Sequence, residues 1–238
     1  MKVQYKIIYQ QLKEQILSNQ IPAGDLLPSE PVLRDTLGVS RDTVRKALNL
    51  LEQDGLIQKK KGKGSFVLNH TLRDFPLSDL RSFSELTDQQ GFTAQTQLIQ
   101  FKSTTITAET TYTGFPIGTP VWYIGRLRII NDAPEIIDFD FIKQSVVPEL
   151  TEAIAQQSLY HYLEQTLALP IAYAKKVITA AEVTTAERQL LALPADEKRV
   201  MQIDSQVFLD NTEQFQFTMS KHRPDRFEFH DFARRLLV

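Results

Sequence analysis

Between Tyr5 and Leu51 apolar residues recur at three- and four-residue steps in a first and a last run, and after Gly55 that period stops. Such spacing puts an apolar stripe on each of two helices, and cap residues mark a third between them. Tyr5, Ile8, Tyr9, Leu12 and Ile16 mark the first. Pro22 and Gly24 break it. Ser29 and Glu30 suit the N-cap and first turn of a second helix, where Pro31 is tolerated because first-turn N–H groups have no helical acceptor. That helix should end at Leu37, with Gly38 as its C-cap. Ser40 then caps a third helix whose inward stripe is Val44, Ala47, Leu48 and Leu51. Arg41, Asp42, Thr43, Arg45, Lys46 and Asn49 are left on or near its outer side.

Leu56 to Val67 reads as two short strands around Lys59-Lys60-Lys61-Gly62-Lys63-Gly64. Two short helices joined at a glycine, then a basic hairpin, make a winged helix-turn-helix. Arg reads guanine edges, Thr reaches bases or phosphate, and lysines at a glycine-rich tip neutralise phosphates. Charge follows the same division. Residues 1–70 carry eleven Lys and Arg against seven Asp and Glu, on a chain whose net charge is −2. A basic head on an acidic body suits a protein that meets nucleic acid at one end.

The chain has no Cys, which excludes disulfides, thiolate metal sites and a Cys nucleophile. Four His, at 70, 161, 222 and 230, show no metal-binding spacing, and no cofactor is expected. Gly62-Lys63-Gly64-Ser65 lacks the spacing of a phosphate loop, and no nucleophile elbow or dinucleotide fingerprint occurs. An enzyme is therefore not expected. No apolar run would span a bilayer, and Met1 to Lys6 has no signal-peptide core, so no membrane partner and a cytoplasmic location are expected.

Asn69 to Pro76 has no period and carries a proline. The expected division is a head at 1–70, a linker at 71–77 and a second domain at 78–238. In the second part Thr96–Lys102, Val121–Ile130, Glu135–Phe141, Ile171–Val183, Val200–Leu209 and Gln214–Lys221 read as strands. Asn131-Asp132 and Asp210-Asn211 read as hairpin turns. Ser158–Leu167 reads as a short helix, and Thr184 with Glu187 as a capping box opening a helix through Leu193. The whole is an α+β two-domain chain, its C-terminal domain built on an antiparallel sheet.

One strand carries chemistry. In Trp122-Tyr123-Ile124-Gly125-Arg126-Leu127-Arg128, alternation places both arginines on one face with Trp122 and Ile124. Two adjacent guanidiniums repel. Either an anion sits between them, or they meet water, or Asp138 and Asp140 of the next strand pair with them. Ser158 could likewise hold phosphate at a helix start or act as an ordinary N-cap.

Leu27-Pro28-Ser29-Glu30, the run from Gly38 to Leu48, Leu51, Gly55-Leu56-Ile57 and the run from Gly62 to Val67 resemble the winged helix of the GntR family of regulators. The resemblance implies that Arg41, Thr43 and Arg45 contact DNA, with Gly64 at the wing tip. Ser40, Lys46, Lys61 and Lys63 complete the expected DNA-facing set. Many relatives carry Arg directly after the Ser-Glu pair; here it is Pro31, so either a contact is lost or Arg34, one turn later, takes its place. The second half resembles the UTRA effector domain of the HutC-like branch, which has a chorismate-lyase-like fold. The similarity is greatest to its trehalose-responsive members. It lies in Ser82 to Leu86, Arg126 to Arg128, Ser158 to Tyr160, Ile171 to Lys176, Phe215 to Thr218, Ser220 to Arg223 and Asp231 to Arg235. It implies a phosphorylated sugar as effector, with trehalose 6-phosphate first and the phosphosugar of another sugar or amino-sugar operon as the alternative. Ser82, Phe83, Ser84, Arg126, Arg128 and Ser158 would surround the phosphate, and Asp138, Tyr160 and Phe217 would line the sugar. Relatives often carry Glu before Ser220; Met219 stands here, which would remove an acceptor for a sugar hydroxyl. The expected protein is a repressor that binds operator DNA as a homodimer and releases it when the effector binds.

Overall fold

The computed structural model describes residues 4–60, 62–69 and 93–229. The described residues fall into two compact units, 4–69 and 93–229. The expected linker, 71–77, lies outside them.

The first unit is α1 (Gln4–Leu17), α2 (Glu30–Leu37), α3 (Arg41–Gln53) and a hairpin of β1 (Ile57–Lys60) and β2 (Gly64–Val67). The apolar stripes of α1 and α3 converge, and α2 adds Leu33. Ile8, Leu12, Ile16, Leu33, Val44, Ala47, Leu48 and Leu51 are buried together with Leu56, Ile57 and Val67 of the hairpin. Burying side chains of that size is worth about 1.5–3 kcal/mol each, which is how helices this short hold their shape. Gly38 ends α2 at φ +64°, a left-handed cap that favours glycine. Ser40 caps α3, its Oγ accepting from the Thr43 N–H at 3.2 Å. Ser29 has the N-cap backbone, but its side chain makes no capping bond. Lys13 is buried on α1, where its ammonium donates to Asp54 at 3.3 Å and to the Tyr9 hydroxyl at 2.7 Å, pinning α1 to the end of α3.

The second unit is a six-stranded antiparallel sheet. Its strands are β3 (Ala94–Thr105), β4 (Pro120–Ile130), β5 (Ala133–Lys143), β6 (Ile171–Glu182), β7 (Arg199–Leu209) and β8 (Gln214–His222), in the order β3-β4-β5-β8-β7-β6. Asn131 and Asp132 both have positive φ and join β4 to β5 in a two-residue hairpin, a turn whose twist matches that of the strands.

Helices cover both faces. Beyond β5 lie α4 (Glu152–Gln156) and α5 (Leu159–His161), the latter continuing as a π-helical turn to Thr166. Ala155, Leu159 and Leu163 pack on Ile124, Ile142 and Val207 of one face. On the opposite face α6 (Thr185–Leu190) brings the following Leu191 and Leu193 onto Leu127, Ile137 and Val200. Thr184 and Glu187 form the expected capping box, and the same Glu187 carboxylate pairs with Lys221 on β8 at 2.5 Å. The helix is shorter than its apolar pattern suggests, because Ala192 turns to φ +50° before Leu193. A 3₁₀ segment, Ala108–Thr113, and α4 were not expected from the sequence; both are too short for a helical period to develop.

Candidate functional sites

On the head, α3 turns its unburied side outward as its stripe requires. Arg41, Arg45 and Lys46 are exposed. Arg41 is braced by Glu30 of α2 at 3.5 Å, which ties the first residue of α3 to the first residue of α2. Lys46 pairs with Asp42 one turn earlier at 2.9 Å. Each raises the other's preference for its charged form: the Asp42 pKa is lowered, and the Lys46 pKa raised, by their hydrogen bond. Arg45 has no ion pair among the described residues. Thr43 is only partly exposed, and its hydroxyl lies 2.8 Å from that of Ser40. Arg34 is exposed on α2 and pairs with its neighbour Asp35 at 2.7 Å.

At the wing, Lys63 and Gly64 are exposed; Lys61 lies outside the described residues. Gly64 has φ +107°, and a Cβ there would lie 3.0 Å from Leu26 Cδ2. The positive φ favours glycine at the tip, while the exposed Leu26 side chain could give way to a larger residue. Asn49 and Glu52 on α3 meet Lys59 of β1, so the wing is tied to the third helix.

In the second unit the face shared by Ile124, Arg126 and Arg128 decides the chemistry. The register puts Asp138 across from Arg126, and Asp140 across from Ile124. The ion pairs are diagonal. Arg126 Nη2 donates to Asp140 at 2.6 Å, and Arg128 Nε donates to Asp138 at 2.8 Å. Of the readings left open by the sequence, the structure takes the one with aspartates. All four side chains are buried.

Strand β8 completes the cluster. Thr218 donates to Asp140 at 2.7 Å, Gln216 Nε2 to the same oxygen at 2.8 Å, and Ser220 to Asp138 at 2.6 Å. From β3, Thr96 accepts from Arg128 Nη1 at 2.7 Å. Burial alone would raise the Asp138 pKa, but Arg128, Arg126 and the Ser220 hydroxyl hold it below the usual carboxylate range. One donor is left over. Arg126 Nε is buried with no hydrogen-bond partner among the described residues. A buried polar group without a partner costs free energy, so it marks a place for an acceptor.

Tyr160 reaches this cluster from α5, its hydroxyl donating to Gln216 Oε1 at 3.2 Å. Burial and the nearby Asp140 push its pKa up, so the phenol stays protonated and can donate. Ser158 begins the same short helix, its Oγ accepting from the His161 N–H at 3.4 Å. The structure thus brings Arg126, Arg128, Asp138 and Tyr160 together. It does not bring in Phe217. Residues 216 and 218 face the cluster, so 217 points to the other side, where it is buried with Ile106, Phe115, Val121 and Phe141. Met219 shares that far side, packed against the same group, so its side chain replaces no acceptor beside the arginines. Ser82, Phe83 and Ser84 lie outside the described residues.

Sequence reasoning missed Thr96, Gln216 and Thr218. The signal was present in β8, where Gln216, Thr218 and Ser220 alternate with Phe215, Phe217 and Met219. Polar residues on the buried strand of a sheet require partners.

A winged helix and a separate sheet domain that holds a buried arginine–aspartate cluster are the parts of a ligand-responsive transcription regulator. Comparison with known proteins agrees. Residues 4–67 match the family described as "Bacterial regulatory proteins, gntR family", and residues 89–228 match "UTRA domain". The chain belongs to the GntR family of bacterial transcription regulators, in the branch with a UTRA domain, and not to an enzyme family. It is 40% identical over 232 residues to the HTH-type transcriptional regulator TreR of Bacillus subtilis, covering 96% of each chain. The crystal structure of YydK from Bacillus subtilis is similar over 97% of this chain and 99% of that one, with TM-score 0.78 and 25% identity. The effector binding domain of the Bacillus subtilis trehalose repressor aligns with 60% of this chain and 99% of its own, at TM-score 0.54 and 34% identity. Among the described residues no helix is long and apolar enough to cross a membrane.

Proposed function

We propose that the protein is a cytoplasmic, homodimeric repressor of trehalose-utilisation genes that leaves its operator when trehalose 6-phosphate binds. The observation that carries this reading is the left-over donor of Arg126, on the strand face it shares with Arg128 and across from Asp138 in the register. Guanidiniums suit a phosphate, and a carboxylate beside them suits sugar hydroxyls. The similarity to the trehalose repressor's effector binding domain supports the choice of sugar. On the head, Arg45 approaches base edges in the major groove, while Arg34, Arg41, Lys46, Lys61 and Lys63 meet phosphates. Thr43 and Ser40 stand at the helix start, where backbone N–H groups also face phosphate. Release is linkage: the effector binds better to the state that holds DNA poorly, so operator affinity falls as effector rises.

The test is a gel shift of operator DNA at fixed salt. Trehalose 6-phosphate at millimolar concentration should dissolve the complex, and trehalose should not. Arg126→Ala strands the buried Asp140, so its folding is checked by circular dichroism first; folded, it should still bind operator and should ignore the effector. A complex that dissolves only with an amino-sugar phosphate would move the regulator to another operon. A complex indifferent to every phosphosugar would remove the sensor role.

A further inference from the structure

The arginine face holds as many carboxylates as guanidiniums. Arg126 is 4% exposed and Arg128 5%, against 9% for Asp138 and 1% for Asp140. Their charges sum to zero before any ligand enters. The carboxylates are not loose. Asp140 is fixed by Thr218 and Gln216 as well as by Arg126, and Asp138 by Ser220 as well as by Arg128. A site meant simply to collect phosphate would be expected to carry excess positive charge. Among the described residues this one carries its own counter-ions and leaves Arg126 Nε as the one buried side-chain atom without a partner.

We propose that Asp138 and Asp140 are resident anions that set the specificity of the site, excluding free inorganic oxyanions and admitting a phosphate ester only when it also brings hydroxyl donors. The proposal deepens the sugar-phosphate reading above and rests on it. An inorganic phosphate entering alone adds negative charge to a neutral, buried cluster. It competes with both carboxylates for the same N–H groups and offers them little in return. A polyol phosphate makes a balanced exchange. Its phosphate takes guanidinium donors, and its hydroxyls donate to the carboxylate lone pairs that are given up. An unphosphorylated sugar cannot displace the carboxylates at all. Phosphate and hydroxyls are therefore both required, which lets the sensor ignore the phosphate pool of a cell.

Removing one resident charge without changing shape should relax the rule. Asp138→Asn can still accept from Arg128 through its oxygen and donate to the Ser220 hydroxyl through its amide. Calorimetric titration of the full chain with inorganic phosphate, trehalose and trehalose 6-phosphate reads the outcome. Wild type should bind the ester at least about 100-fold tighter than either fragment. Asp138→Asn should bind inorganic phosphate about tenfold tighter than wild type does, and its preference for the ester should shrink. Asp140→Asn carries the same test if the first variant fails to fold, with circular dichroism as the control. Wild type binding inorganic phosphate within tenfold of the ester overturns the proposal without any variant. So does a folded variant that gains nothing for inorganic phosphate. Failure of trehalose 6-phosphate to bind, with the gain for inorganic phosphate intact, instead overturns the choice of sugar and leaves the resident anions standing.

Discussion

On α3 of the head, the Arg41 side chain keeps 75% of its surface exposed although Glu30 lies 3.5 Å away. On β4 of the second unit, the Arg126 side chain keeps 5%, and Asp140 lies at 2.6 Å. The same residue type serves two purposes. An exposed pair is worth about 0–1 kcal/mol, so the carboxylate is readily exchanged for a DNA phosphate. A buried pair cannot be opened without stranding a charge, so it is part of the architecture first and becomes a binding element only for a ligand that replaces what it displaces. Charge on the head is available. Charge in the body is reserved.

The comparison breaks most visibly at Asp140. Asp140→Ala leaves Arg126 buried without its counter-ion and strands Thr218 and Gln216, which now donate to it. The expected loss is about 3–5 kcal/mol of stability. Urea unfolding followed by Trp122 emission measures it, since Trp122 is the only tryptophan and stands on the same face of β4. A loss below about 1 kcal/mol would mean that water reaches the cluster and that the pair is no more structural than those on the head.

Arg45 is the opposite case. It is exposed and has no ion pair among the described residues, so Arg45→Ala should leave stability within about 0.5 kcal/mol of wild type. Operator binding at fixed salt should weaken by about 1–3 kcal/mol, with preference relaxed at one base position. Fluorescence anisotropy with operators varied one base pair at a time checks both. An equal loss on every sequence would make Arg45 a phosphate contact rather than a base reader.

The head was legible nearly residue by residue, because its first and third helices show apolar stripes and local chemistry at Gly38 and Ser40 ends the second helix and starts the third. The sheet was legible as strands and hairpins, but strand order was not. That β8 lies between β5 and β7 depends on pairings across some eighty residues, which no local pattern encodes. The site divided along the same line. Arg126 and Arg128 share a face by alternation alone, and Asp138 and Asp140, on the next strand of the same hairpin, were among the partners the sequence left open. Gln216 and Thr218 come from β8 and became visible only with the fold. Phe217 was misplaced because position in a motif says nothing about which face a strand residue occupies, whereas its neighbours Gln216 and Thr218 do.

His222 sharpens the comparison at its margin, since it lies on the cluster face one rung beyond Ser220, opposite Ile136 and against the Phe227 ring at 5.3 Å. Burial lowers its pKa from 6.5 to about 4, while the Asp138 charge pulls the other way and only partly offsets the effect. The native state therefore resists a proton that the unfolded chain accepts, and stability falls as pH drops below 6.5 until the folded imidazole titrates near 4. The carboxylates act lower. Asp138 and Glu187 are held below 3.8 and 4.5, so the stability they contribute is lost only as pH approaches and passes those values. Among the described groups whose pKa is shifted, His222 is thus the one that acts from pH 7 to pH 5. Wild type should lose about 1–2 kcal/mol more over that interval than His222→Gln, whose curve should be nearly flat there. Urea midpoints at the two pH values measure the difference. Parallel curves would show that water solvates the imidazole, and would set the edge of the reserved, water-poor region between Ser220 and His222 rather than beyond it.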